Sequence, residues 1–209
     1  MNRRRDWRFA FVQILTFGRV PLIFVFPAVA LAAGRPLSGV AFGVAFGTML
    51  ASALTDLLDG YFARKLGVAS RLGAYADPLT DKVFYLTSLP TLVYLAGVQG
   101  ERGHAGLLLV MTIFFLLRDQ WVSFMRSIGA LYQSDARANW SGKARTLVAF
   151  PAICVAFYHL GAPASWPLTI PVALVWGLEI ASIGINAISI WVYTRHYGPA
   201  LLKEMSSDH

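Results

Sequence analysis

Long uncharged runs separated by short polar clusters dominate the chain, and their lengths predict helices that cross a bilayer. Residues 37–55 carry no charge, and neither do 83–100, 105–117, 146–164, 165–178 or 180–194. An α-helix rises about 1.5 Å per residue, so about 20 apolar residues cover the roughly 30 Å hydrocarbon layer. Joined to their flanks, these runs predict six spans, near 18–34, 38–63, 72–98, 105–130, 143–162 and 167–193. The expected fold class is therefore an all-α integral membrane protein, a six-transmembrane-helix bundle with no separate soluble domain. Ahead of the first span, residues 1–17 form an interfacial segment. Within it, 5–16 (RDWRFAFVQILT) predicts an amphipathic helix lying on the membrane surface, arginines toward headgroups and Trp7, Phe9 and Phe11 dipping inward. Residues 18–195 make up the six-span domain, and 196–209 a cytosolic tail that is partly ordered at most.

Composition agrees with that class. Of the 209 residues 56% are hydrophobic and only 14% charged, far from the balance of a soluble domain. A net charge of +7 would suit nucleic acid, but the positions of the cations assign it to topology instead. With the N-terminus in the cytosol, Arg3, Arg4, Arg5, Arg8, Arg64, Lys65, Arg71, Arg137, Lys143, Arg145, Arg195 and Lys203 fall on or near the cytosolic side. The outer loops hold only Arg35 and Arg102. This is the positive-inside asymmetry. No nucleic-acid partner is expected; membrane lipids are, with anionic headgroups drawn to the basic rim. The arginines at 3–5 and the ALAAG at 30–34 imitate a secretory signal, but Arg19, Pro21 and Pro27 interrupt the run between them. Cys154, the single cysteine, excludes a disulfide framework and reads as a small buried hydrophobe.

Against this apolar background four acids stand out: Asp56, Asp59, Asp77 and Asp81. Carboxylates in or beside a bilayer core are costly, so they read as a site. A spacing of three, then of four, places each pair one turn apart on one helical face. Gly67 and Ser70 supply a helix stop and an N-cap, so a short cytosolic turn folds the two pairs toward each other. Four carboxylates that close repel and raise one another's pKa unless cations sit among them. All-oxygen ligation suits hard divalent ions, Mg²⁺, Mn²⁺ or Ca²⁺, and the segment has no His or Cys to favour zinc. Two such ions about 4 Å apart are the usual device for in-line displacement at phosphorus. Gly60, Ala63 and Gly73 give a ligand close approach to the helices, although small residues in membrane helices also serve packing. Arg64 supplies a fork-shaped donor suited to a diphosphate. A cation transporter could also use such an acidic hairpin, yet the outer halves of the spans are nearly free of ionisable residues.

The run Asp56-Leu-Leu-Asp59-Gly60-Tyr-Phe-Ala63-Arg64, then eight residues, Gly73, three residues, Asp77, three residues and Asp81 resembles the CDP-alcohol phosphotransferase (phosphatidyltransferase) signature at every fixed position. The six-span layout is similar too. The resemblance implies that an acceptor hydroxyl attacks the β-phosphorus of CDP-diacylglycerol and CMP leaves. It implies Asp56, Asp59, Asp77 and Asp81 as ligands of divalent cations, Mg²⁺ or Mn²⁺ and two in number, with Asp81 also the general base. Asp56, Gly60, Ala63, Arg64 and Gly73 would line the CDP pocket. A homodimer in a bacterial inner (plasma) membrane, its active site facing the cytosol, is implied by the resemblance as well.

A second constellation follows the motif. Arg118 and Asp119 interrupt the fourth span at mid-depth, and Arg126, eight residues on, shares about the same helical face. Lys82, Lys143 and Arg145 extend a basic lining. A phosphorylated alcohol acceptor would supply the anion that membrane-depth arginines need. Other readings stand beside this one. Lys143 and Arg145 also suit positive-inside anchors, and Arg118 could pair internally with Asp119 or with Glu179. Within the family, Arg118-Asp119, Arg126 and Gly142-Lys143-Ala-Arg145-Thr146 look like the phosphatidylglycerophosphate synthase pattern, with Asp119 where Glu is usual and Arg145 where Lys is usual. Leu15-Thr16-Phe-Gly-Arg19 is similar to the family's Leu-Thr-x-x-Arg segment. The resemblance thus implies sn-glycerol 3-phosphate as acceptor, with phosphatidylglycerol or an inositol phosphate as alternatives.

Overall fold

The computed structural model describes residues 3–33, 36–68, 71–131 and 140–207; side chains are described except at 3–6, 9, 56, 57, 59, 60, 63, 64, 71–78, 131, 141, 143, 200 and 203–207. Those residues form six helices and no strands. They are α1 (Arg3–Ala32), α2 (Gly39–Leu66), α3 (Arg71–Val98), α4 (Arg102–Leu131), α5 (Trp140–Gly161) and α6 (Val172–Ser207). Among the described residues four segments are long and apolar enough to cross a membrane: Ala10–Ala32, Arg102–Ala130, Ala144–Gly161 and Val172–Pro199. In α2 the uncharged part, Gly39–Thr55, is followed directly by the first acid of the motif, Asp56.

Helix ends follow the local chemistry. Ser38 caps α2, its Oγ accepting from the Ala41 amide at 3.1 Å while its carbonyl accepts from Phe42. Gly67 closes the same helix with φ 63°, the left-handed conformation expected of it. Ser70, expected to cap the next helix, lies outside the described residues. Two expectations at the termini change. A single helix runs from Arg3 through Ala32, with no break where an interfacial segment was expected to give way to a span at 17–18. Nothing between Arg3 and Arg19 interrupts helical hydrogen bonding. At the other end α6 continues to Ser207, so most of the 196–209 tail is helical.

The chain divides into two compact units. The first comprises residues 1–95 and 157–169, with α1 packed on α2. Its centre is aromatic. Phe42 stacks on Phe157 at 5.5 Å and meets Trp166 edge-on at 4.7 Å, while Phe26 meets Phe157 edge-on at 4.7 Å. The second unit comprises 96–156 and 170–209, with α4 packed on α6. There Val122, Met125, Tyr193 and Tyr197 are buried together, flanked by Trp121 and Leu201. The Tyr197 ring fills a slot over Gly129, where a Cβ would overlap ring carbons. Gly129→Ala gains about 1 kcal/mol of helix propensity but overpacks a buried ring, which costs about 1–3 kcal/mol. A lower thermal midpoint in detergent is expected, and a midpoint equal to that of the parent protein would refute this packing argument.

Candidate active site

The motif lies where the sequence places it along the chain, on the last turns of α2 and the first turns of α3, either side of the turn at Gly67. Positions 56 and 59 are helical and one turn apart, as are 77 and 81. The side chains of Asp56, Asp59, Asp77, Ala63 and Arg64, and positions Gly60 and Gly73, lie outside the described residues. Asp81 is described. Its carboxylate is 50% exposed and faces Arg19 Nη1 at 3.7 Å. Arg19, only 2% exposed, comes from α1 and donates through Nη2 to the hydroxyl of Thr80. A charge buried so far from water persists only with partners, and Asp81 and Thr80 are two of them. The second acid of the α3 pair is therefore held in orientation from α1. Lys82 is half-buried beside it. Arg19 stands in the Leu15-Thr16-Phe-Gly-Arg19 segment, but sequence alone assigned it no role.

The second unit gathers the other candidates. Arg118, Asp119 and Arg145 are 7%, 8% and 9% exposed, all effectively withdrawn from water. Arg118 Nη1 donates to Asp119 Oδ1 at 3.2 Å, and Arg145 Nη1 donates to the same oxygen. Arg118 Nε donates to Ser189 Oγ at 2.9 Å, and the Arg145 guanidinium lies 4.2 Å from the Phe115 ring centroid. Arg145 is thus a buried partner of Asp119 rather than a surface anchor; Lys143 lies outside the described residues. Arg126 is exposed and donates to the Tyr193 hydroxyl at 2.9 Å. The guanidinium carbons of Arg118 and Arg126 lie 5.5 and 5.3 Å from the Tyr193 ring centroid, within cation–π range. The eight-residue spacing does bring both arginines onto one surface, that of a tyrosine.

Of the two internal partners open to Arg118, Asp119 is the one engaged. Glu179, 0% exposed, is taken by His104, whose Nε2 lies 2.8 Å from Oε1, while His104 Nδ1 lies 3.1 Å from Glu101 Oε2. Depth in the span alone did not reveal that His104 reaches Glu179. Ser189 and Tyr193 were missed as well. The one signal for them was the polar register Ser182, Asn186, Ser189, Tyr193 along α6, which repeats at helical spacing.

The charges decide what such a cluster can hold. Arg118, Arg126 and Arg145 against the single carboxylate of Asp119 leave two positive charges among these four side chains. Guanidinium forks backed by aromatic faces favour planar or tetrahedral oxyanions. A phosphate monoester, which carries close to two negative charges at neutral pH, matches in charge and geometry.

Comparison with known proteins identifies the family. The family model for CDP-alcohol phosphatidyltransferase matches residues 10–191. A Mycobacterium tuberculosis protein described as a probable phosphatidylglycerophosphate synthase is 29% identical over 176 residues, 84% of this chain and 77% of the relative. The CDP-diacylglycerol–glycerol-3-phosphate 3-phosphatidyltransferase of Bacillus subtilis is 29% identical over 156 residues, covering 69% of this chain and 75% of its own length. An Arabidopsis thaliana chloroplastic/mitochondrial enzyme of the same description is 31% identical over 160 residues, 74% of this chain and 52% of that protein. With the family model spanning most of the chain and the aspartate spacing intact, the protein belongs to the CDP-alcohol phosphatidyltransferase family.

Proposed function

We propose that this protein transfers the phosphatidyl group of CDP-diacylglycerol to sn-glycerol 3-phosphate, giving phosphatidylglycerophosphate and CMP. The observation that carries the choice of acceptor is the arginine cluster, buried at Arg118 and Arg145 and exposed at Arg126, with its two surplus positive charges. Phosphatidylglycerol brings one phosphodiester charge and so leaves the cluster half neutralised. A cation transporter reading gains no support, whereas the relatives named above carry the enzymatic one.

In the proposed reaction the acceptor hydroxyl oxygen bonds to the β-phosphorus of the donor and the bond to CMP breaks. The hydroxyl proton passes to the Asp81 carboxylate. Arg19 supports that role by holding the carboxylate in orientation. Asp56, Asp59 and Asp77 together with Asp81 form an all-oxygen donor set fitting two Mg²⁺ or Mn²⁺ ions, which when bound supply charge stabilisation for the phosphoryl oxygens. Asp56, Gly60, Ala63, Arg64 and Gly73 bind the CDP group. The acceptor phosphate is bound by Arg118, Arg126, Lys143 and Arg145, with Lys82 adding charge. Six spans, an active site facing the cytosol across a bacterial inner membrane, and a homodimer complete the reading.

Purified protein with CDP-diacylglycerol, Mg²⁺ or Mn²⁺ and one acceptor at a time tests it by CMP release. With sn-glycerol 3-phosphate, release at least about tenfold above that with phosphatidylglycerol or an inositol phosphate is expected, since a site built for one charged group rejects analogues that leave it unpaired. Equal or faster release with another acceptor would overturn the assignment.

A further inference from the structure

We infer that Tyr193 is a specificity-determining residue of the acceptor site, donating its phenolic proton to the acceptor phosphate beside the bare backbone of Gly142. The inference rests on reading the arginine cluster as that site. It starts from what each donor has left over. Arg118 uses Nε on Ser189 and Nη1 on Asp119, so Nη2 is the nitrogen not engaged by either. Tyr193 is buried, and its phenol oxygen accepts from Arg126 Nη2. A phenol that accepts one hydrogen bond still carries its own proton for another.

These two unused donors approach a common point. A Cβ built on Gly142 would lie 3.5 Å from Arg118 Nη2 and 3.9 Å from the Tyr193 hydroxyl. Gly142 itself thus puts no side chain beside either group. A phosphate oxygen in contact with the Gly142 backbone and within about 3 Å of both groups accepts from the guanidinium and the phenol together. Arg126, joined to the same phenol, closes the set. The tyrosine ring also explains how two like charges share so small a region: its negative face attracts Arg118 and Arg126 alike and holds them at a fixed spacing. An acceptor lacking the phosphate leaves Nη2 and the phenol proton unpaired, which is how the pair discriminates.

Two variants separate the parts of this proposal. Tyr193→Phe keeps the ring and its cation–π contacts and removes only the hydroxyl. Gly142→Ala places a methyl beside both donors, at ordinary contact distance from each, so the fold should tolerate it while the phosphate oxygen is displaced. Each is expected to raise KM for sn-glycerol 3-phosphate about tenfold or more, with KM for CDP-diacylglycerol and the thermal midpoint unchanged. Inorganic phosphate should inhibit both variants more weakly than the parent protein. Arg118→Gln and Arg126→Gln are measured in parallel. If they raise acceptor KM while Tyr193→Phe and Gly142→Ala leave it unchanged, Tyr193 has no such role and the acceptor site stands. If the arginine variants leave acceptor KM unchanged, the reading of the cluster fails and this inference with it.

Discussion

Asp81→Asn is expected to lower CMP release at saturating donor and acceptor by about 10²–10⁴-fold, the usual contribution of a positioned general base. Asparagine has nearly the same shape but cannot take a proton at neutral pH and is a weaker ligand for a divalent cation. The carboxylate is half exposed, so the substitution leaves no deep cavity. Its partner Arg19 retains the hydrogen bond to Thr80, which limits the structural damage. The expected signature is thus a large fall in turnover with a thermal midpoint within a few degrees of the parent. A variant that keeps more than about a tenth of the activity would remove Asp81 from the proton transfer.

Asp119→Asn should act in the opposite way, on stability first. Two buried guanidinium groups converge on Asp119 Oδ1, and the substitution removes the negative charge between them while keeping the side-chain volume. Breaking a buried ion pair from one side costs about 3–5 kcal/mol because the remaining charge is stranded. For a chain of this size that corresponds to a fall of about 6–20 °C in thermal midpoint. Inorganic phosphate offers a test of cause. If the lost stability is unbalanced positive charge, millimolar phosphate should raise the midpoint of the variant more than that of the parent. An unchanged midpoint for Asp119→Asn would show that the pair of arginines finds its counter-charge elsewhere. Asp119→Glu, which restores the charge with a longer reach, should recover most of the stability.

The contrast between these residues also shows what the sequence could reveal. The aspartates were legible because their spacing is a property of single helices: three or four residues put two side chains on one face wherever the helix lies. Arg118 and Arg126 were legible as charges within a span that should have few, and Arg145 as the extension of a basic lining. Their partners were not. Whether Arg118 meets Asp119 or Glu179 depends on how α4 and α6 pack, and His104 occupies Glu179 in a way no local rule anticipates. Tyr193 and Gly142 matter through distances across that packing and have no distinctive spacing of their own. The termini were misjudged for related reasons. The polar composition of 196–209 suggested a loose tail, whereas α6 continues to Ser207 with the Tyr197 ring fitted against Gly129. At the start of the chain, the amphipathic character of 5–16 was real as a pattern, but pattern does not mark a helix break.

The brevity of the apolar stretch in α2 bears on how a lipid substrate is handled. Gly39–Thr55 covers about 25 Å as a helix, less than the roughly 30 Å hydrocarbon layer of an average bilayer. Such a mismatch is relieved by local thinning of the bilayer or by drawing the flanking polar turn inward, at a cost of fractions of a kcal/mol per ångström. Asp56 follows directly after that stretch. On the proposed topology, position 56 of α2 then falls near the depth of the lipid phosphates. A donor tethered by two acyl chains then reaches the reaction centre without being lifted from its leaflet, and only the small, water-soluble reactant has to travel.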